Sequence, residues 1–100
     1  MKLITEEISK EIPELYSQEE KGDESMACVK FFCPWNNWTW YATEFDGEDT
    51  FFGLVIGFEK ELGYFSLAEL SKVTGPWGLK IERDLYFTPK PLSEIRKIHS

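Results

Sequence analysis

The residues of this chain with chemical potential gather in three places. Between positions 44 and 49 lie four carboxylates, Glu44, Asp46, Glu48 and Asp49, close enough in sequence to offer clustered oxygen ligands to a hard cation such as Ca²⁺ or Mg²⁺. Glu44 and Glu48 alone would also suit paired-carboxylate acid–base chemistry. Against both readings, the Asp46-Gly47 dipeptide is first of all hairpin-turn chemistry, and the ligand spacing of an EF-hand is missing. The second place is Glu82-Arg83-Asp84, three charges inside an apolar strand pattern. The Arg83 guanidinium can fork onto a carboxylate such as Glu44 or Asp84; the ordinary alternative is a solvent-facing bulge or a local ion network. The third is the aromatic group Trp35, Trp38, Trp40 and Tyr41. Core packing is the default for side chains this large. An interface for a protein partner or a second copy ranks next, and a stacking platform for sugars or bases third. Base stacking needs accompanying Lys or Arg, and none lies between Lys30 and Lys60.

Nucleophiles are few. Cys28 and Cys33 on one strand would sit roughly 16 Å apart on opposite faces, too far to pair, so both are expected as free thiols of a reducing cytoplasm. The one histidine, His99, is penultimate. A Ser–His or Cys–His arrangement would need it held against Ser66, Cys28 or Cys33. There is no histidine cluster for zinc and no glycine-rich phosphate loop. No cofactor and no metal are therefore expected, and no motif names a reaction.

Composition narrows the partners. The 100 residues are 42% apolar and 29% charged, which suits one globular domain spanning 1–100. A net charge of -7 lacks the basic footprint that supplies most nucleic-acid affinity. It equally disfavours anionic membranes, and no apolar run reaches transmembrane length. The first residues, MKLITEEISKEIPELY, lack the apolar stretch of a secretory signal. The charge is uneven: residues 1–25 hold eight acidic and three basic side chains, whereas residues 75–100 hold three and five. Twelve of the sixteen aromatics fall between Phe31 and Phe65, marking an aromatic central sheet.

The elements that must position these residues follow from periodicity. Thr5 can cap a helix with Glu6 and Glu7 in its first turn and Leu3, Ile4, Ile8 and Ile12 as its apolar stripe, ended by Pro13. Ser17 to Ser25 has no apolar residue and reads as a mobile loop. Met26 to Cys33, Trp38 to Phe45 and Thr50 to Phe58 read as strands, the last two forming a hairpin about Asp46–Asp49. With Phe45 opposite Thr50, one face pairs Thr43 with Phe52, Tyr41 with Leu54 and Thr39 with Ile56. The other pairs Glu44 with Phe51, Ala42 with Gly53, Trp40 with Val55 and Trp38 with Gly57, so that indoles lie across small partners. Both faces are largely apolar, so both need cover. Leu62 to Phe65 is a short strand leading into a Ser66–Glu69 capping box and a helix bearing Leu67, Leu70 and Val73. Leu79 to Phe87 gives a last strand or two, and Ser93 to His99 a final helical turn.

The segments Pro34-Trp35, Trp38 to Gly53 (WTWYATEFDGEDTFFG), Glu61 to Leu67 and Ile81 to Phe87 together resemble domain-of-unknown-function family 2958. The resemblance covers most of the chain. It implies small bacterial proteins often carried on plasmids, phages and conjugative elements, and it implies no activity, cofactor or catalytic residue.

The sequence thus predicts an α+β domain with a central antiparallel sheet of four to five strands built on the 38–58 hairpin, with short helices packed on it. For function we expect a non-enzymatic interaction module that engages a protein partner, or itself, through the aromatic sheet face. Trp35, Trp38, Trp40, Tyr41, Glu44, Glu82, Arg83 and Asp84 are the candidate binding residues. Two rivals stand beside it. An acidic DNA mimic would line Glu6, Glu7, Glu11, Glu14, Glu44, Asp46 and Asp49 along one surface. A small metal-dependent hydrolase would bring the acidic turn together with Arg83.

Overall fold

The computed structural model describes residues 2–100. In chain order they form α1 (Glu6–Glu11), a 3-10 segment (Glu19–Glu24), β1 (Met26–Ala27), β2 (Val29–Phe32), β3 (Thr39–Phe45), β4 (Thr50–Ile56) and β5 (Lys60–Ser66). There follow α2 (Leu67–Lys72), a 3-10 turn (Pro76–Gly78), β6 (Glu82–Arg83), β7 (Lys90–Pro91) and α3 (Leu92–Ile98). Five antiparallel strands make the main sheet, ordered β5-β4-β3-β2-β6, and β1 pairs with β7 in a separate two-stranded sheet. The class is α+β, as expected. The 26–33 strand is broken at Cys28 into β1 and β2, and the stretch 79–87 gives the main sheet the two residues of β6 and, apart from it, a bridge from Lys80 to Thr74.

Local chemistry explains the helix starts. The Thr5 hydroxyl accepts the Ile8 N–H at the start of α1. Ser66 caps α2 by accepting the Glu69 N–H. The second half of that cap comes from elsewhere. Asp49 accepts the Ser66 hydroxyl at 2.8 Å and the Ala68 N–H at 2.7 Å, and its carbonyl takes the Leu67 N–H. The hairpin turn thereby fastens the helix that follows β5. Asp46 closes the turn itself, one carboxylate oxygen accepting the N–H groups of Glu48, Asp49 and Thr50.

The β3–β4 register matches the expected one from Thr39↔Ile56 through Trp40↔Val55 and Tyr41↔Leu54 to Ala42↔Gly53. Beyond Ala42 it shifts. A bulge at Thr43 pairs Glu44 with Phe52 and Phe45 with Phe51. Because side chains alternate along a strand, one inserted residue exchanges the faces of everything beyond it. Phe45 turns onto the face of Trp40, where it stacks on Phe51 at 4.2 Å, and Phe51 in turn stacks on Phe65 at 5.2 Å. Glu44 turns onto the face of Tyr41. The regular register would have left a carboxylate opposite Phe51 in the apolar layer with Phe31 and Phe65, and the Phe45 ring on the opposite face. The bulge removes both conflicts.

Both sheet faces are covered. On the Trp40 face, Leu3 and Ile12, which flank α1, and Leu70 of α2 pack against Val29, Phe31, Ala42, Phe45 and Phe51. On the Tyr41 face, α3 brings Leu92 and Ile95 against Ala27, Leu54 and Ile56. The strands touch tightly where small residues permit it. A Cβ on Gly57 would stand 2.5 Å from the Trp38 ring, as the large-against-small pairing predicts. At Gly53 the close neighbour is not an indole but the Tyr41 carbonyl oxygen, 1.8 Å from where a Cβ would be.

Candidate functional site

The bulge carries Glu44 to the underside of the 13–25 segment, and the two organise each other. Glu44 is only 3% exposed. Its Oε1 accepts the Tyr16 N–H at 2.7 Å and its Oε2 accepts the Gln18 N–H at 2.9 Å. The Phe45 N–H donates to the Pro13 carbonyl, so the chain from 13 to 18 is tied along the end of β3. Two charge-assisted bonds offset part of the cost of removing this carboxylate from water. Glu44 has no cationic partner among the described residues, whose ion pairs are Lys30–Asp84 at 3.6 Å and Arg96–Asp23 at 3.1 Å.

Gln18 is the second buried member. Its amide nitrogen donates to the Thr43 carbonyl at 2.7 Å and the Met26 carbonyl at 3.1 Å, and its Oε1 accepts the Met26 N–H at 2.8 Å. The Thr43 carbonyl belongs to the bulged residue, whose regular ladder partner is lost, and Gln18 supplies the replacement. Residues 17–25, expected as a mobile loop, are therefore an ordered segment pinned by Gln18, Glu44, the Ser25 hydroxyl on the Gln18 carbonyl, and Arg96 on Asp23. Lack of apolar residues was the wrong signal, because this segment is held by polar bonds to β3 and not by burial of apolar surface. A signal for the bulge did exist in the awkward placement of Glu44 opposite Phe51.

Between this segment and the sheet lies a pocket of about 190 Å³. Thr43, Glu44 and Phe52 line it from the sheet, Tyr16 and Glu19 from the overlying segment, and Leu62 and Tyr64 from β5. Phe52 and Tyr64 meet edge-on at 4.9 Å. Tyr16 holds a left-handed backbone, φ 71°, unusual for a residue with a side chain. The Tyr16 hydroxyl, followed by partial desolvation and the nearby carboxylates Glu19 and Glu44, raises the Tyr64 phenol above its ordinary range.

The other residues chosen from sequence do not assemble here or with one another. Trp35, Trp38 and Trp40 lie on one side of the sheet and Tyr41 on the other, so the four do not form a common surface. The three indoles are half-buried. Trp35 packs on Gly75, and Trp38 packs on Gly57, 6.0 Å from Trp40 and 5.5 Å from Phe58. Tyr41 is buried, with its hydroxyl 2.7 Å from His99 Nε2. His99 meets neither Ser66 nor a thiol. Burial first, then the positive charges of Lys30 and Lys60, lower the His99 pKa from its ordinary value of 6.5. Both cysteines are free, and burial raises each thiol pKa, assisted at Cys28 by Glu11 and partly opposed at Cys33 by a hydrogen bond with Asn36.

Arg83 does not reach Glu44. Its Nη1 donates to the carbonyls of Lys2 and Leu3 at 3.0 and 2.7 Å, clamping the chain ahead of α1 to β6. Asp84 pairs with Lys30 and accepts the Tyr86 N–H, while Glu82 sits half-buried opposite Phe32. The acidic turn and Arg83, which the hydrolase rival would unite, are held apart: Asp46 is engaged by its own turn, Asp49 by α2, and Glu44 by the 13–18 segment. Burial of Glu44 also removes it from the continuous acidic surface that DNA mimicry requires. Among the described residues no group of three or more His, Cys, Asp or Glu is placed to hold a metal ion.

Together these features define a small α+β domain whose polar interior is organised around a buried glutamate held by backbone amides. The chain belongs to the DUF2958 family, a protein family of unknown function, whose model matches residues 3–99. No curated protein and no solved structure matches it. Among the described residues no helix is long and apolar enough to cross a membrane.

Proposed function

We propose that the chain is a non-enzymatic protein-interaction module whose working surface is the open edge of β5 and the aromatic residues beside it. The observation that carries this reading is the edge itself. β5 ends the sheet order and pairs with β4 through seven consecutive residues without a bulge. Natural sheets protect long edges with charge, proline or bulges. Here Lys60 and Glu61 guard only one end, and Leu62 to Ser66 carries neither charge nor proline. Leu62 is 46% exposed and Tyr64 57%, while Phe58, in the β4–β5 turn, is 96% exposed against the edge of Trp38. A strand added from a partner, or from a second copy, would complete the ladder and cover these side chains. The aromatic sheet face proposed from sequence is replaced by this edge, because α1 and α2 occupy the face. The bacterial mobile-element setting implied by the family resemblance suits a small module acting on another protein.

The test compares wild type with a Phe58→Ser, Gly63→Lys variant. A Cβ on Gly63 meets nothing within 4 Å, so the new charge is carried on the edge at little cost to the fold. Wild type should self-associate in sedimentation, or capture from a bacterial extract a protein that the folded variant does not. Identical behaviour of the two proteins in both assays overturns the reading.

A further inference from the structure

We infer that the pocket beneath residues 16–25 binds a primary alkylammonium group, presented either by a lysine side chain of another protein or by a free alkylamine. This inference does not rest on the role of the β5 edge. The charge of the pocket is one-sided: its lining includes Glu19 and Glu44 but no lysine or arginine. Glu44 is nearly fully buried, and backbone N–H groups alone satisfy it. Each carboxylate oxygen offers two acceptor positions, so a further donor can be accommodated beside each existing bond. A buried carboxylate without a cation is a standing electrostatic opportunity, because a charge pair interacts more strongly away from water.

The walls suit the same ligand. Tyr16, Phe52 and Tyr64 present aromatic rings and Leu62 an aliphatic surface, a combination that accepts an alkyl stem and a cation near π-faces. Tyr16 keeps its strained left-handed backbone while its N–H is aimed at Glu44. Such outliers persist where the surroundings over-determine them, often at ligand sites. The pocket's volume of about 190 Å³ has room for a four-carbon stem and its ammonium group.

The experiment titrates the whole chain with n-butylammonium, with n-butanol as the neutral control, following the amide resonances of Tyr16, Gln18, Glu44 and Tyr64. N-acetyl-lysine amide forms a second arm. Saturable shifts with butylammonium and none with butanol are expected. Parallel binding of the blocked lysine identifies a protein side chain as the natural source, and its failure to bind identifies a free amine. Glu44→Gln should weaken butylammonium binding by roughly tenfold or more. Should that variant not fold, Glu19→Gln and Tyr64→Leu, both at exposed positions, take its place and should each weaken binding severalfold. Equal binding of butanol, no saturable shift with either amine, or undiminished binding by the folded variants would each overturn the inference. None of these results bears on association through Phe58 and Gly63.

Discussion

Replacing Gln18 by alanine is the most direct probe of how the bulge and the 13–25 segment sustain each other. The substitution removes three hydrogen bonds, two given to the Thr43 and Met26 carbonyls and one taken from the Met26 N–H. Gln18 is 4% exposed, so the freed groups at Thr43 are poorly placed to find water. Met26 is more open and regains part of its loss by hydration. At about 1 kcal/mol net for each bond, with some recovery at Met26, the expected destabilisation is about 2–3 kcal/mol. That is a large share of the roughly 5–15 kcal/mol available to a domain. Urea unfolding followed by tryptophan fluorescence measures it, with the slope of the transition compared between proteins to show that the unfolding reaction is unchanged. Hydrogen exchange at the Met26 amide supplies a local readout, because Gln18 Oε1 is its acceptor; that amide should exchange faster in the variant. A loss under about 0.5 kcal/mol, the level of an ordinary surface substitution, together with unchanged protection of Met26, would refute the role assigned to Gln18.

Other perturbations test the remaining contacts. Gly57→Ala should cost about 1–3 kcal/mol by overpacking against Trp38, and should alter the near-UV circular dichroism of the indoles. Gly53→Ala meets a backbone carbonyl instead of a movable ring and should prevent soluble folding, as measured by expression and dispersion of amide resonances. Asp49→Ala removes the outer cap of α2 and should cost about 1–2 kcal/mol in thermal or urea unfolding. The lowered pKa of His99 means that the folded chain binds fewer protons than the unfolded one as pH falls. Its contribution is complete above the unfolded value of 6.5 and is lost as pH drops through that value towards the folded pKa. Stability measured across that window should decline more steeply in wild type than in His99→Gln, and an NMR titration placing the His99 pKa above 6.5 would contradict the burial argument.

Much of the architecture was legible because its causes are local. Alternation and aromatic content marked β3 and β4, Asp46-Gly47 marked their turn, and Thr5 and Ser66 marked two helix starts. A loop at Asp46–Asp49 placed Trp40 opposite Val55 and Tyr41 opposite Leu54, as observed. The inference that both faces require cover followed from the same pattern. The candidate site was less legible. The sequence marks Glu44 as a cation ligand, an acid–base partner of Glu48 or an acceptor for Arg83, whereas its partners are the Tyr16 and Gln18 amides. Arg83 is drawn instead to the Lys2 and Leu3 carbonyls about eighty residues away in sequence, a partnership to which spacing gives no clue. Gln18 lies in a polar run where nothing in the spacing distinguishes it from its neighbours.

The sequence by itself determined the strand-and-helix alphabet, the central hairpin and the need for two covered faces, since these depend on neighbours within a few residues. Tertiary structure decided where the polar side chains go. A single extra residue at Thr43 reverses the facing of Glu44 and Phe45, satisfying the aromatic core on one side and delivering a carboxylate to the other. Whether that slip is favourable depends on Phe51, Phe65, Tyr16 and Gln18 together, residues that meet only once the sheet and the 13–25 segment are in place.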